Sequence, residues 1–302
     1  MKGIEFKRPE LEDQEIMKFY FAKAPGRSCE RTFANIYLWS RHYPVTYAIV
    51  DDTLVFRSAK DKLAFAYPVG EPEAVKKTLD RMIQYFQETE QEIIFYNITE
   101  EQFAQIENWY PGQFQIEYDR DIADYVYEQE KLDTLAGSKL SAKRNHINKF
   151  KKLYDNWSYE ALTEDNVEEC FQMALKWRND NGCEDHEGKR QEICVTLNSL
   201  RLLKELNLTG GILRVDEEIV AFTIGEELCK DTFVVHIEKA MNEYEGAYQM
   251  INQQFVRNEC ADYQYINREE DTGSEGLRKA KLSYKPAFLV EKGYVTLKNN
   301  LQ

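Results

Sequence analysis

Two side chains that can move protons lie two residues apart in this sequence, His236 and Glu238. They fall in the run 232–238, whose β-branched and aromatic residues predict a strand, and alternate residues of a strand face the same side of a sheet. An imidazole with an ordinary pKa of about 6.5 could, beside a carboxylate, remove a proton from an attacking amine. The pattern therefore predicts a catalytic pair. The alternative is a half-buried strand histidine that is hydrogen-bonded to a neighbour.

A run of charged residues follows a later predicted strand at residues 263–267. Ligands commonly bind beyond the strand ends of an open α/β sheet, which makes Asn267, Arg268 and Glu269 candidate substrate-binding residues. Together with Glu270 and Asp271, the run offers three acids beside one arginine, a set that could bind a substrate ammonium group. A solvated loop that caps the next helix explains the same residues equally well.

Cationic side chains recur on the helix predicted next, at residues 274–284, and just beyond it. Arg278, Lys281 and Lys285 are separated by three and four residues, so they share one helical face that could hold a phosphate or carboxylate. We take Arg278 and Lys281 as candidate ligands for the anionic part of a substrate. A surface of salt bridges is the alternative.

The segment from residue 139 to 152 contains six lysines and arginines and no acid, in a chain whose net charge is −14. That negative total disfavours extensive non-specific contact with nucleic acid or anionic lipid, so any such contact must be local. The apolar residues of this segment fall on one stripe of a predicted helix, which leaves most basic side chains on other faces. Lys143, Arg144 and Lys149 are therefore candidates for contact with tRNA or phosphate, although charge runs also serve as solvated faces or interdomain braces.

These candidate residues need a sheet and its flanking helices to hold them in place. In the C-terminal half, hydrophobic periodicity predicts a strand, two helices, a three-strand meander, a helix, a strand, a helix and a strand. The predicted ranges are 156–162, 164–179, 187–206, 211–215, 219–225, 232–238, 248–258, 263–267, 274–284 and 287–291. This order is similar to that of the acetyltransferase (GNAT) fold.

The N-terminal half has a looser version of the same order. A hairpin is predicted at 46–50 and 54–57 around Asp51-Asp52, and a helix at 73–88 after Pro72. The fold class is therefore mixed α/β, with two tandem GNAT-like domains and a plausible internal duplication. The predicted boundaries are 1–135 for the N-terminal domain, 136–155 for a basic linking helix and 156–302 for the C-terminal domain.

Four sequence stretches together resemble a known family. They are KRNHINKF at 143–150, GAYQMIN at 246–252, NREED at 267–271 and GLRKAK at 276–281. The chain resembles, over nearly its whole length, a bacterial family of unknown function related to the C-terminal catalytic domain of phosphatidylglycerol lysyltransferase. That resemblance implies a double GNAT fold, similar also to the Fem-type peptidyltransferases that use aminoacyl-tRNA.

The resemblance also implies where an acyl donor would bind. In this fold the donor carbonyl lies near the third meander strand, and donor phosphates lie at the N-terminus of the helix that follows. Gly246, Ala247, Tyr248 and Gln249 are therefore candidate binding residues, because a glycine allows close backbone approach and helix N–H groups favour an anion. Only the glycine of the usual coenzyme A signature is clearly present, and nearby acids would repel a pyrophosphate. An ordinary helix start with acidic capping is the alternative.

Composition limits the remaining classes of site. Six cysteines, at positions 29, 170, 183, 194, 229 and 260, include no C-x-x-C pair, so no metal site is predicted. No apolar run reaches the length of a membrane span and the N-terminus lacks a signal peptide, so we expect a cytoplasmic protein without stable membrane association.

The sequence thus predicts an acyltransferase that moves an aminoacyl group, with aminoacyl-tRNA as its expected donor, to an amine or hydroxyl of a small molecule, peptide or lipid head group. A coenzyme A-dependent N-acetyltransferase using acetyl-CoA is the first alternative, and a non-catalytic ligand-binding protein is the second. Catalysis would depend on orientation and on stabilisation of an oxyanion by backbone groups.

Overall fold

Residues 1–60 and 62–298 are described by a computed structural model of the chain. The chain forms two compact units, neither of which is a continuous stretch of sequence. The N-terminal unit comprises Met1–Asp124, Glu270–Ser274 and Leu289–Gln302, and the C-terminal unit comprises Tyr125–Glu269 and Glu275–Phe288. The sequence predicts contiguous domains instead, and the last four residues of its C-terminal domain lie outside the described part.

The helices and strands follow one another along the chain with short connections. The helices are α1 Gln14–Lys23, α2 Phe33–Trp39, α3 Pro72–Glu88, α4 Glu100–Trp109, α5 Gln129–Thr134, α6 Ser141–Leu153, α7 Val167–Asp180, α8 Glu187–Arg201, α9 Ala247–Glu259 and α10 Glu275–Leu282. The strands are β1 Val45–Val50, β2 Thr53–Ser58, β3 Ala64–Ala66, β4 Ile94–Thr99, β5 Phe114–Tyr118, β6 Asp124–Glu128, β7 Trp157–Leu162, β8 Thr209–Val215, β9 Glu218–Cys229, β10 Thr232–Ala240, β11 Tyr265–Asn267, β12 Phe288–Val290 and β13 Lys292–Leu297. Within the described residues, no helix is long and apolar enough to cross a membrane.

The sheet of the N-terminal unit has the order β1-β2-β3-β4-β13-β5. Asp51 and Asp52 both have positive φ, at 48° and 61°, which suits the tight turn of the predicted β1–β2 hairpin. Pro72 begins α3, where its missing N–H has no intrahelical role. Buried aromatic residues, among them Phe65 and Phe95, fill the core beside the sheet.

The sheet of the C-terminal unit has the order β12-β6-β11-β10-β9-β8-β7. Asp216 and Glu217 have positive φ, at 49° and 69°, and form the turn of the predicted β8–β9 hairpin. A core of buried apolar residues from α7, α8 and the meander, including Met173 and Phe222, packs beside this sheet.

Both units have the same order of elements. Each runs through two helices, an antiparallel meander, a helix, a strand parallel to the last meander strand, a helix and a further strand. The parallel pairs are β3–β4 in the N-terminal unit and β10–β11 in the C-terminal unit. The predicted fold class, mixed α/β with two tandem GNAT-like domains, is confirmed, and the shared order supports the predicted internal duplication.

One strand in each sheet comes from the other half of the sequence. β13, near the C-terminus, pairs antiparallel with β4 and β5, whereas β6 pairs antiparallel with β11. The sequence does not predict the strand β13 or the helices α2 and α5. These elements are six or seven residues long, too short for a clear periodic signal.

Candidate functional site

The predicted site in the C-terminal unit lies where two parallel strands part. β10 pairs with β11 only from Thr232 to Val234, although β10 continues to Ala240. On its other side, β10 pairs with β9 through a register shift between Val235 and Ile237, so the intervening His236 lies at an irregular point of the strand. Such irregularities redirect side chains and are frequent beside functional sites.

His236 is held between two carboxylates. Its Nδ1 atom lies 2.7 Å from Glu269 Oε1, and its Nε2 atom lies 3.0 Å from Glu226 Oε1. Burial lowers the pKa of His236, but the hydrogen bonds to these carboxylates outweigh that effect and raise the pKa to about 10. Both ring nitrogens therefore carry protons at neutral pH. This geometry argues against His236 as a proton acceptor, and its catalytic role stays a prediction.

Glu238 binds two residues that converge on it from other elements. Arg268 Nη2 donates to Glu238 Oε1 at 2.9 Å, and Asn252 Nδ2, on α9, donates to Glu238 Oε2 at 3.0 Å. Arg268 Nη1 and Asn252 Oδ1 are both buried and have no hydrogen-bond partner among the described residues. Buried polar atoms in native proteins are normally satisfied, so an unpaired donor and an unpaired acceptor on two residues that bind the same carboxylate indicate a place for a ligand.

The loop after β11 is held by main-chain contacts. Asn267 is fully buried and its Oδ1 accepts the backbone N–H of Glu269, whose φ is 55°. Lys281 Nζ donates to the backbone carbonyls of Arg268, at 2.6 Å, and Glu269, at 3.2 Å. Lys281 is thus committed to bracing this loop, while Arg278 is half-buried on the neighbouring turn of α10. Both stay predictions as ligands of a substrate anion.

Gly246 is the N-cap residue directly before α9, and its φ is 90°. It lies against the backbone of α6. A Cβ atom at this position would come within 2.7 Å of the His146 carbonyl oxygen. Ala247 is buried, and Tyr248 and Gln249 are half-buried. The physical reason for the glycine is therefore close packing of α9 against α6, and the predicted role of residues 246–249 in donor binding is untested.

Two basic side chains of α6, which the sequence predicts as contacts for tRNA or phosphate, make contacts within the protein instead. Lys143 Nζ lies 4.1 Å from the centre of the Tyr284 ring, which Arg268 also approaches at 4.9 Å. Burial and the charge of Arg268 lower the pKa of Lys143. Arg144 donates to the backbone carbonyls of Leu135 and Gly137. Lys143 thus joins the Glu238 and Arg268 cluster, which its spacing in the sequence did not predict.

Lys149, the third predicted contact for tRNA or phosphate, is exposed and pairs with Glu245 at 2.7 Å. Lys139, Lys151 and Lys152 are also exposed on or next to α6. The solvent-facing positive charge of the helix therefore comes from these four lysines, rather than from Lys143 and Arg144.

A cavity in the N-terminal unit was not predicted from the sequence. Its volume is about 540 Å³, and it lies where β3 ends and β4 continues, with Ala66 and Tyr96 among its lining residues. This is the position in the N-terminal unit that corresponds to the parting of β10 and β11. The wall contains several aromatic side chains, namely Phe21, Trp39, Tyr43, Phe56, Tyr67, Tyr96 and Tyr294.

Buried charges lie next to this cavity. Lys292 Nζ, fully buried at the start of β13, binds Asp124 Oδ1 at 2.9 Å and Glu30 Oε1 at 2.8 Å. Burial lowers the pKa of Lys292, but the neighbouring acids outweigh that effect and raise it well above its ordinary value. Glu30 and Lys292 lie 262 residues apart in sequence, so no local spacing could have paired them.

Three possible metal ligands occur in the same cluster. Ligand atoms of Cys29, Asp124 and Glu270 lie within 4.8 Å of one another. Lys292 already supplies the cation there, and burial raises the pKa of the Cys29 thiol well above its ordinary value. A metal ion would bind the thiolate, and it would have to replace the Lys292 ammonium that already pairs with Asp124.

Comparison with known proteins identifies a family that matches most of the chain. Residues 21–295 match the family described as "Phosphatidylglycerol lysyltransferase, C-terminal". An uncharacterized protein of Mycoplasmoides gallisepticum is 26% identical over 186 residues, which cover 61% of this chain and 59% of that protein. The chain therefore matches about three-fifths of that relative's length.

Solved structures extend the comparison to the whole chain. A conserved protein of unknown function from Bacteroides thetaiotaomicron is 39% identical, with a TM-score of 0.91 over 98% of this chain and 100% of that one. L-PGS from Bacillus licheniformis is 14% identical, with a TM-score of 0.67 over 97% and 93% of the two chains. The C-terminal domain of a putative lysylphosphatidylglycerol synthetase from Agrobacterium fabrum is 14% identical, with a TM-score of 0.65 over 96% and 92%. The last two similarities show a shared fold, and the resemblance predicted from the sequence is confirmed.

Proposed function

We propose, because this chain belongs to the family of the phosphatidylglycerol lysyltransferase C-terminal domain, that it transfers an aminoacyl group to an amine or hydroxyl. The observation that carries the proposal is the unpaired, buried Nη1 of Arg268 beside Glu238, at the point where β10 parts from β11. A carbonyl oxygen bound there would satisfy a buried donor. The same donor would bind more strongly the oxyanion that develops as the carbonyl is attacked.

The residues of this cluster suit acyl transfer without a covalent enzyme intermediate. The acceptor's nitrogen or oxygen would attack the donor carbonyl carbon, the donor's ester bond to its carrier would break, and the carrier hydroxyl would take up a proton. Arg268 and Lys143 supply positive charge for the oxyanion. Glu238 is the carboxylate placed to take the acceptor's proton, because His236 already holds its own.

The start of α9 favours an aminoacyl carrier over acetyl-CoA. In the GNAT fold a coenzyme A pyrophosphate would lie against the residues at this helix start, but Gly246 is packed on the His146 carbonyl of α6. Glu243 and Glu245 flank the turn, where they pair with Lys176 and Lys149. The close packing of Gly246 on α6 restricts access to its backbone and makes this turn a poor place for a pyrophosphate.

Aminoacyl-tRNA is the donor that best fits the remaining features. Exposed Lys139, Lys149, Lys151 and Lys152 on and beside α6 offer a local positive surface on an acidic protein. Such a surface binds a phosphate backbone mainly through charge. The acceptor is a small molecule, a peptide or a lipid head group.

The decisive assay follows radiolabelled aminoacyl groups from a mixed pool of charged tRNA into a new product. Phosphatidylglycerol vesicles and glycylglycine serve as acceptors. We expect Glu238→Gln to reduce transfer by about 10²-fold, the lower range for loss of a general base. Glu227→Gln, an exposed change on β9, should leave transfer unchanged.

Two results would contradict the proposal. The first is a native protein that consumes no charged tRNA with either acceptor. The second is a melting temperature that rises with acetyl-CoA and not with charged tRNA, because that would favour the coenzyme A alternative. Retention of a ligand without turnover in either assay would support the non-catalytic alternative.

A further inference from the structure

We infer that the cavity of the N-terminal unit is a second binding site, which takes a small ligand with one carboxylate group and an aromatic or aliphatic body. The inference is independent of the proposed aminoacyl transfer, since every residue that carries it lies outside the C-terminal unit. It follows from one guanidinium, from the charge around it and from the shape and chemistry of the wall.

Arg31 provides the anchor for the ligand. It lines the cavity, and its Nη1 atom is buried without a hydrogen-bond partner among the described residues. Burial lowers the pKa of Arg31 to about 10, so the guanidinium remains charged at neutral pH. A buried guanidinium nitrogen without a hydrogen-bond partner among the described residues costs free energy in the free protein, and a bound anion would recover it.

The charge around Arg31 selects a single negative charge. Among the lining residues, the cations Arg31 and Lys60 face the acids Glu30, Asp121 and Glu270. Glu30 is further neutralised by Lys292 and accepts a hydrogen bond from Asn97 at 2.9 Å. A carboxylate matches the fork of one guanidinium, whereas a doubly charged phosphate would bring a second negative charge into a lining that already contains three acids.

The wall selects the body of the ligand. A volume of about 540 Å³ lies within the usual range for small-molecule sites. Trp39, Tyr67 and Tyr96 offer ring faces and edges, which suit an aromatic or aliphatic group of modest size. The cavity thus combines aromatic walls with a guanidinium that can bind an anion.

The backbone beside the site is also unusual. Asn97 lies within β4, yet its φ is 53°, a conformation that few residues other than glycine adopt. This conformation accompanies the hydrogen bond from Asn97 to Glu30, at the edge of the cavity. Strain of this kind persists where the surrounding structure enforces it, and it is frequent in ligand sites.

Calorimetric titration of the full chain with three matched probes tests the inference. The probes are 3-phenylpropionate, its neutral amide 3-phenylpropanamide, and 2-phenylethyl phosphate. We expect the carboxylate to bind at least about tenfold more tightly than either of the others, which is the contribution of one charge-assisted hydrogen bond. Arg31→Met should remove that preference and leave the weak binding of the amide, while Arg8→Met, a change at an exposed arginine, should alter neither.

The ligand-free protein gives a second readout. Removing a guanidinium whose buried Nη1 has no hydrogen-bond partner among the described residues should raise the melting temperature of Arg31→Met by about 2 °C or more, whereas a structural arginine would lower it on removal. Arg31→Lys keeps the charge without the fork and should bind the carboxylate with intermediate affinity. Equal binding of carboxylate and amide, preference for the phosphate, no detectable binding of any probe, or undiminished carboxylate binding by Arg31→Met would each overturn the inference. None of these results depends on charged tRNA, so this failure is distinguishable from failure of aminoacyl transfer.

Discussion

At the scale of single residues, the surroundings of His236 decide whether its ring can accept a proton. Two carboxylates from different elements, Glu226 on β9 and Glu269 after β11, bind its two nitrogens. The protonated ring of His236 therefore forms ion pairs with both carboxylates, and these ion pairs stabilise the place where β10 and β11 separate. A base would need a free nitrogen lone pair, which this arrangement removes.

The pH dependence of stability tests this assignment. Because the pKa of His236 is raised from 6.5 in the unfolded chain to about 10 in the folded one, its contribution is complete below about pH 6.5 and is lost as the pH rises toward 10. We expect the free energy of unfolding of the native protein to exceed that of His236→Gln by an amount on the order of 3 kcal/mol at pH 6. This difference in free energy should become steadily smaller as the pH rises to 10. Urea unfolding across this range measures the difference. His146→Gln, a change on the exposed side of α6, is the control, and a difference that widens with pH would refute the ion pair.

The sequence predicts several residues of the C-terminal cluster but not the contacts that they make with one another. His236 and Glu238 fall on one predicted strand because alternation is a local signal, although that signal does not show the register shift at His236, and Arg268 follows a predicted strand end. The bonds between them span about thirty residues, and the approach of Lys143 to Tyr284 spans far more. In the N-terminal unit, Arg31 and Lys292 lie in no motif, so only the folded chain identifies their neighbours.

At the scale of elements, the contact between α9 and α6 depends on one residue without a side chain. Gly246 has both a positive φ and a backbone atom in the path of a Cβ, so alanine there is strained in two ways. The contact also separates two interpretations of the glycine. A residue needed for packing affects stability, whereas a residue needed only for a ligand affects binding.

We expect Gly246→Ala to lower the free energy of unfolding by roughly 1 to 3 kcal/mol, from backbone strain and displacement of α6. Gly276→Ala is the matched control, since Gly276 lies in α10 with no heavy atom within 4 Å of an added Cβ. That change should be neutral or slightly stabilising. Denaturant unfolding of both variants measures the contrast. Equal stability of the two would show that α9 can start without the close contact.

Most elements were predictable because their signals are local. The two hairpin turns are marked by adjacent acidic residues that adopt positive φ, and α3 is marked by its first proline. No such local pattern marks the start of β13. Because β13 follows β12 after a single residue, its sequence resembles a continuation of that strand. Its position between β4 and β5 depends on chain segments far away in sequence.

At the scale of the whole molecule, the exchange of strands between the two halves decides which parts of the chain can fold together. The sequence predicts that residues 1–135 form a domain by themselves. In the structure, the N-terminal unit includes β13, whose Val295 is fully buried in the core of that unit. Lys292, at the start of the same strand, neutralises the buried carboxylate of Asp124 and the half-buried carboxylate of Glu30.

A fragment of residues 1–135 should therefore fail to fold cooperatively. Without β13, β4 and β5 each lose their antiparallel partner, and the fully buried Asp124 loses its cation, a loss that typically costs about 3 to 5 kcal/mol for a broken buried pair. That cost is comparable to the whole stability of an ordinary domain. Far-UV circular dichroism during urea unfolding should show no sharp transition for the fragment alone. Addition of a peptide of residues 289–298 should restore one, whereas the same peptide carrying Lys292→Met should not. A fragment that unfolds cooperatively without the peptide would instead establish residues 1–135 as the autonomous domain that the sequence predicts.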